Sequence, residues 1–144
     1  MKVATILKAK GDKVVTVHPD ATIATVIQSM KLEGVGAVIV SADAVTLEGL
    51  ISERDIVLGL GQHGGEVLAM LARELMNRSA ATCTPESDIK EVMAEMTRRR
   101  TRHLPVVERG SLCGMVSIGD VVKNRLEEAQ MEIDVLRDAY IASH

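Results

Sequence analysis

Hydrophobic positions fall into two matching series along the chain. Ile23, Val26, Ile27 and Met30 recur at i, i+3, i+4 and i+7, and so do Ile89, Val92, Met93 and Met96. That spacing places four apolar side chains on one helical face. Each stripe follows a proline, Pro19 or Pro85, and a polar capping candidate: Asp20 or Thr22 in the first series, Ser87 or Asp88 in the second. Strand-like runs come next, Ala37 to Val40 and His103 to Val107. After a short polar turn a second apolar run follows, Leu50-Ile51 or Met115-Val116, and each leads into another helix-like stretch. Every unit therefore reads short strand, helix, strand, turn, strand, helix.

The polar positions repeat as well. Gly49-Leu50-Ile51-Ser52-Glu53-Arg54-Asp55-Ile56-Val57 returns 65 positions later as Gly114-Met115-Val116-Ser117-Ile118-Gly119-Asp120-Val121-Val122. Upstream, His18-Pro19-Asp20 aligns with Thr84-Pro85-Glu86 at an offset of 66, so the turn between is one residue shorter in the second copy. Self-similarity at a fixed offset predicts two copies of one supersecondary unit. Repeat one, with its N-terminal segment and a Gly-bearing connector, spans 1–78; repeat two spans 79–126; a C-terminal helix spans 127–144. That tail contains no Gly or Pro, and Leu126, Ala129, Ile133, Leu136 and Tyr140 form a stripe suited to a helix–helix contact. It packs either on its own domain or between subunits.

Composition narrows the class. A hydrophobic content of 47% with 26% charged residues is that of a globular protein. The net charge of -3 argues against an obligate DNA binder. With one Tyr and no Trp or Phe, a flat ligand has to be held between aliphatic side chains and backbone. Cys83 and Cys113 are too few for a disulfide framework and read as small buried hydrophobes. No signal-peptide pattern or membrane-length apolar run is visible, so a cytoplasmic protein that does not enter the membrane is expected. No zinc-ligand spacing is present, and the glycines around Gly61 lack the Gly-Lys-Ser/Thr ending of a phosphate loop. His18 and His144 read as exposed, and His63 lies in the connector. No nucleophile–base pair stands out, and the expectation is a protein without catalytic activity.

The pattern of Pro, helix, strand, strand, Gly-apolar-apolar-Ser-x-x-Asp and helix, given twice, resembles a tandem pair of CBS domains, often called a Bateman module. The closest matching stretches are Arg102 to Val106 with Gly114 to Asp120, and Gly49 to Val57; the resemblance covers about Lys2 to Leu126. It implies an α+β fold of two β-α-β-β-α repeats related by a pseudo-two-fold axis, with two inter-repeat clefts. It also implies a stand-alone regulatory module that binds an adenine nucleotide, with AMP, ADP, ATP and NAD(H) as candidates. The resemblance and the tail stripe together point to a homodimer acting on an unidentified regulated protein.

Ser52-x-x-Asp55 and Ser117-x-x-Asp120 have two compatible readings. Ser-x-x-acid ahead of an apolar run is a capping-box pattern. Each Asp also offers carboxylate acceptors that suit a ribose diol. By resemblance, Asp55 and Asp120 hold ribose, while Ser52 and Ser117 support ribose or phosphate. A polar residue on the first strand of repeat two falls at Thr82. Arg102, His103, Leu104 and Pro105 open the second strand, where the family reads adenine through backbone and flanks it with apolar side chains. Repeat one lacks these residues at Gly36 to Ile39, so the Asp120 cleft is expected to be the tighter. Arg54, whose counterpart is Gly119, is expected to reach phosphate. The run Arg98 to Arg102 supports an alternative, nucleic-acid or protein interaction without nucleotide sensing, although interleaved aromatics for base stacking are missing.

Overall fold

The computed structural model describes residues 1–11 and 13–143; His144 lies outside them. Along the chain run α1 (Val3–Lys10), β1 (Thr16–Val17), α2 (Ile23–Glu33), β2 (Ala37–Val40), β3 (Gly49–Ser52), α3 (Glu53–His63), a 3-10 turn (Gly64–Ala69), α4 (Ala72–Leu75), α5 (Ile89–Arg99), β4 (His103–Glu108), β5 (Ser111–Ser117) and α6 (Ile118–Ser143). Both expected amphipathic helices form. Thr22 caps α2 by accepting from the Thr25 amide, and Asp88 caps α5 by accepting from the Lys90 amide. Their buried faces are Ile23, Val26 and Met30 on α2, and Ile89, Val92 and Met96 on α5.

In repeat one, β1 runs parallel to β2, and β2 pairs antiparallel with β3. In repeat two, β4 and β5 form the antiparallel pair, and the counterpart of β1 contracts to one bridge, Cys83 to Val106. The sequence explains the contraction. In repeat one the Ile39 amide donates to the Val15 carbonyl. Its counterpart is Pro105, which has no N–H to offer the Ala81 carbonyl. The remaining rungs, Cys83 N–H to Pro105 O and Val107 N–H to Cys83 O, still form. Thr82 accordingly lies in an exposed, unpaired stretch one residue before the bridge.

Each repeat has its own apolar core, and a third cluster joins them. It holds Ala37, Ile39 and Leu50 of repeat one, packed against Val14 and Leu47 and against Ala80, Leu112 and Met115 of repeat two. Several of these are pseudo-symmetric pairs: Leu50 with Met115, Leu47 with Leu112, Val14 with Ala80. The Leu112 amide adds a bond to the Val45 carbonyl at 2.8 Å. The two repeats also exchange helices. α1 precedes repeat one yet packs on repeat two, where Val3 and Ile6 are buried in the core with Val116.

The repeat-two helix and the C-terminal tail form a single helix, α6, of 26 residues. Nothing between Asp120 and Ser143 breaks helical geometry, since neither Gly nor Pro occurs there. Leu126, Ile133 and Leu136 are 51–69% exposed, so within one chain these positions of the stripe are not buried on their own domain.

Candidate functional site

The repeated Ser and Asp sit at the junction of strand and helix in both units. Ser52 ends β3 and caps α3; its hydroxyl accepts from the Asp55 amide, while Asp55 Oδ2 accepts from the Ser52 amide at 2.8 Å. Ser117 and Asp120 repeat the exchange, at 2.9 Å and 3.2 Å. The capping-box reading is thus correct for both motifs, and it fixes each carboxylate at a strand end. Strand and helix are also tied alike: the Glu53 amide donates to the Gly36 carbonyl, and the Ile118 amide to the Arg102 carbonyl.

The glycines that open the two motifs serve a close approach. A Cβ on Gly49 would lie 2.6 Å from Met76 Sδ, and one on Gly114 would lie 2.6 Å from Leu7 Cδ2. Each glycine is therefore the seat of a side chain from the segment leading into the opposite repeat. Beyond Met76, the linker pairs with the outer edge of β3 through Asn77 N–H to Leu50 O and Leu50 N–H to Asn77 O.

Between that linker and the start of β4 lies a cavity of about 240 Å³, lined by Leu50, Asn77, Ser79, Ala80, Ala81, Arg99 and Thr101. It is walled by repeat one on the β3 side and by repeat two on the other. From Leu50, β3 runs two residues, about 7 Å, to Ser52 and the start of α3. Asp55 keeps Oδ1 without a hydrogen bond among the described residues. The Ala81 carbonyl, left without a strand donor by Pro105, belongs to a lining residue.

The Asp120 side differs. Lys10, the last residue of α1, places Nζ 2.7 Å from Asp120 Oδ2 and 3.0 Å from the Met115 carbonyl. Burial works to raise the Asp120 pKa, but the Lys10 ammonium and the Ser117 donors outweigh it and hold the carboxyl below its usual value. A shallower space of about 140 Å³ flanks this pair, between α1 and α6.

The expected site residues separate accordingly. Leu104 and Pro105 are buried, His103 is half-buried, and Arg102, Arg54 and Thr82 are exposed. The start of β4 faces repeat one: the His103 ring lies against Gly36 beside the Glu53 carboxylate. Desolvation lowers the His103 pKa, Glu53 and Asp120 raise it, and Lys10 and Arg102 lower it further, with a net downward shift. Arg54 has no ion-pair partner among the described residues. Of the arginine run, Arg98 and Arg99 are held by Glu95, and Arg100 closes α5 in the left-handed conformation. Burial, with Cys113 nearby, pushes the Cys83 thiol up to about 12, as befits a packed hydrophobe.

Sequence reasoning did not connect Leu50, the Asn77–Ala81 linker or Lys10 with a candidate site, and it took Arg99 and Thr101 only as part of the basic run Arg98 to Arg102. The repeated glycines were the available signal for the linker, because a strand glycine marks a close approach. Lys10 carried none.

Two β-α-β-β-α units joined about a pseudo-dyad, with clefts where each strand–helix motif meets the other unit, define a tandem α+β module. A CBS-domain profile matches residues 10–61 and 72–127, and the chain belongs to the CBS-domain family as a tandem pair. It is 31% identical to the mitochondrial CBS domain-containing protein CBSX3 of Arabidopsis thaliana, over 96% of this chain and 71% of that protein. The CBS domain-containing protein YhcV of Bacillus subtilis is 30% identical over 79% of this chain and 80% of its own. The crystal structure of a CBS-domain-containing protein from Agrobacterium tumefaciens superposes with a TM-score of 0.83 and 37% identity, covering 87% of this chain and 99% of that one. Domains of this family are generally regulatory, typically non-catalytic, and often bind adenine nucleotides.

Proposed function

We propose that this chain is a regulatory sensor that binds an adenine nucleotide, AMP, ADP, ATP or NAD(H), in the cavity between β3 and the start of β4. The observation that carries the reading is the conjunction of an open inter-repeat cavity with a carboxylate at the end of its wall. The cavity accepts the base between Leu50 and Ala80–Ala81, as a chain with one Tyr and no Trp or Phe requires. The Ala81 carbonyl offers an acceptor to an exocyclic amine, and Asp55 Oδ1 offers one to the ribose diol. We assign the phosphate to Arg54, which is exposed and one residue before Asp55. Nucleotide in this cavity touches both repeats, so binding favours one relative arrangement of them by its difference in affinity between arrangements.

The exposed stripe of α6 supports a homodimer, and the regulated protein is a separate partner. No described helix is long and apolar enough to cross a membrane. We place the protein in the cytoplasm on composition; CBSX3 is a mitochondrial relative. The nucleic-acid reading loses ground because Glu95 holds two of the arginines it needs.

Isothermal titration of the purified protein with AMP, ADP, ATP and NADH tests the proposal. At least one is expected to bind, and Asp55→Ala should weaken it by about tenfold or more, the loss of hydrogen bonds to a charged acceptor. Absence of binding by all four, or full affinity in Asp55→Ala, would overturn it.

A further inference from the structure

The two clefts differ in what fills them, and the difference lies in one side chain. Leu7 rests on Gly114 as Met76 rests on Gly49. Three residues beyond Met76 stands Ser79, which lines the open cavity. Three residues beyond Leu7 stands Lys10, whose ammonium is bonded to Asp120 and to the Met115 carbonyl. Met115 is the counterpart of Leu50, the wall of the open cavity, and Asp120 is the counterpart of Asp55. Among the described residues no cation pairs with Asp55. The equivalent carboxylates therefore differ in charge balance: Asp120 carries a tethered ammonium on Oδ2, and Asp55 carries none.

The geometry points to Lys10 as an intramolecular occupant of the Asp120 cleft, competing with the ribose diol and keeping that cleft closed to nucleotide while the Asp55 cleft stays open. This rests on the nucleotide reading above. The competitor is held close on both sides. The amides of Val3 and Ala4 donate to the Ser87 and Pro85 carbonyls at 2.9 Å, which anchors the start of α1 on repeat two. At its far end the helix stops at Gly11, with φ of 91°. A nucleotide entering the second cleft has to displace the ammonium from both acceptors, so occupancy there would loosen the end of α1 and the link into β1.

Titration of AMP, ATP and NADH into the wild type, Lys10→Ser, Lys10→Arg and the double variant Lys10→Ser/Asp120→Ala tests this. The wild type is expected to show one Asp55-dependent site per chain. Lys10→Ser, which removes the ammonium and leaves a small polar side chain, should add a second site or tighten it by about tenfold or more. Asp120→Ala in that background should remove the gain, and Lys10→Arg, which keeps a cation, should show none. If Lys10→Ser leaves second-site binding unchanged or weakens it while the Asp55-dependent site is normal, Lys10 is not a competitor and the inference fails; a weakening would make it a phosphate ligand. If no variant binds AMP, NADH or ATP at either site, the nucleotide reading itself falls and takes the inference with it. Urea unfolding of each variant establishes that the comparison is between folded proteins.

Discussion

Gly49→Ala is the substitution whose effect the structure fixes best. The added methyl carbon would lie 2.6 Å from Met76 Sδ, 2.7 Å from its Cγ and 2.9 Å from its Cβ. A side-chain rotation moves the first two atoms away but leaves Cβ in place, so the segment after α4 has to retreat. Met76 is only 9% exposed and packs in the core of repeat one, which limits where it can go. Overpacking of this kind costs about 1–3 kcal/mol. Replacing Gly by Ala inside a strand returns roughly 0.5–1 kcal/mol of backbone entropy. A net loss of about 1–2 kcal/mol follows. Gly114→Ala is the internal control, because only the outer carbons of Leu7, at 2.6, 3.2 and 3.5 Å, oppose it. Its loss should be smaller by about 1 kcal/mol. Urea unfolding followed by far-ultraviolet circular dichroism measures both, since the only Tyr lies on the exposed end of α6 and reports poorly on the core. Met76→Ala in the Gly49→Ala background should show a coupling of about 1 kcal/mol. Wild-type stability for Gly49→Ala, or a larger loss for Gly114→Ala, would refute the account of these glycines. The retreat of the linker should also weaken nucleotide binding, because Asn77 is bonded to Leu50.

Three further outcomes are expected. Arg100 sits at φ 54° where repeat one has Gly34 at φ 65°; Arg100→Gly should therefore raise stability by about 1 kcal/mol in the same unfolding assay. His103 has a folded-state pKa below its unfolded value near 6.5. Its contribution is therefore complete above that value and is lost as pH falls through the range below it, because the unfolded chain takes up the proton first. Urea midpoints at about pH 7.5 and 5.5 should differ less in His103→Gln than in the wild type, with Glu53, Asp120, Lys10 and Arg102 unchanged. A chain ending at residue 127 should sediment as a monomer where the full chain sediments as a dimer, and equal masses would remove the α6 stripe from the interface.

The architecture was legible because its signals are local and given twice. Four apolar positions at helical spacing, a capping residue ahead of them and a Gly-to-Asp motif after the strands specify each unit without reference to the other. The capping candidates resolved to Thr22 and Asp88 only in the structure, because either of two neighbouring polar residues satisfies the same sequence rule. The tail was read as a separate helix, but the same absence of breakers that made it helical also fused it to the helix before it. The first strand of repeat two is the instructive case. Its length depends on whether residue 105 has an N–H, and that fact was in the sequence, but its consequence depended on knowing that residue 105 faces residue 81.

The site was less legible for a related reason. Ser52, Asp55, Ser117 and Asp120 stood out because a duplicated polar motif has few explanations, and the structure puts each pair at a strand–helix junction. What the motif alone does not specify is which surface it faces. Reading along the chain joins Arg102 to Pro105 with Asp120, their neighbour in sequence. Packing between the repeats also brings His103 against Gly36 and Glu53 of the other unit, while it stays paired with Ser117 and within the field of Asp120. Partners across a pseudo-dyad are set by packing between repeats, which no periodicity records. The exchange of α1 and the linker between repeats delivers Lys10 to Asp120 and Ser79 to the Leu50 wall. Duplication made the two clefts equivalent in their carboxylates, and the segments that cross between repeats, free to diverge because neither motif includes them, made the clefts different.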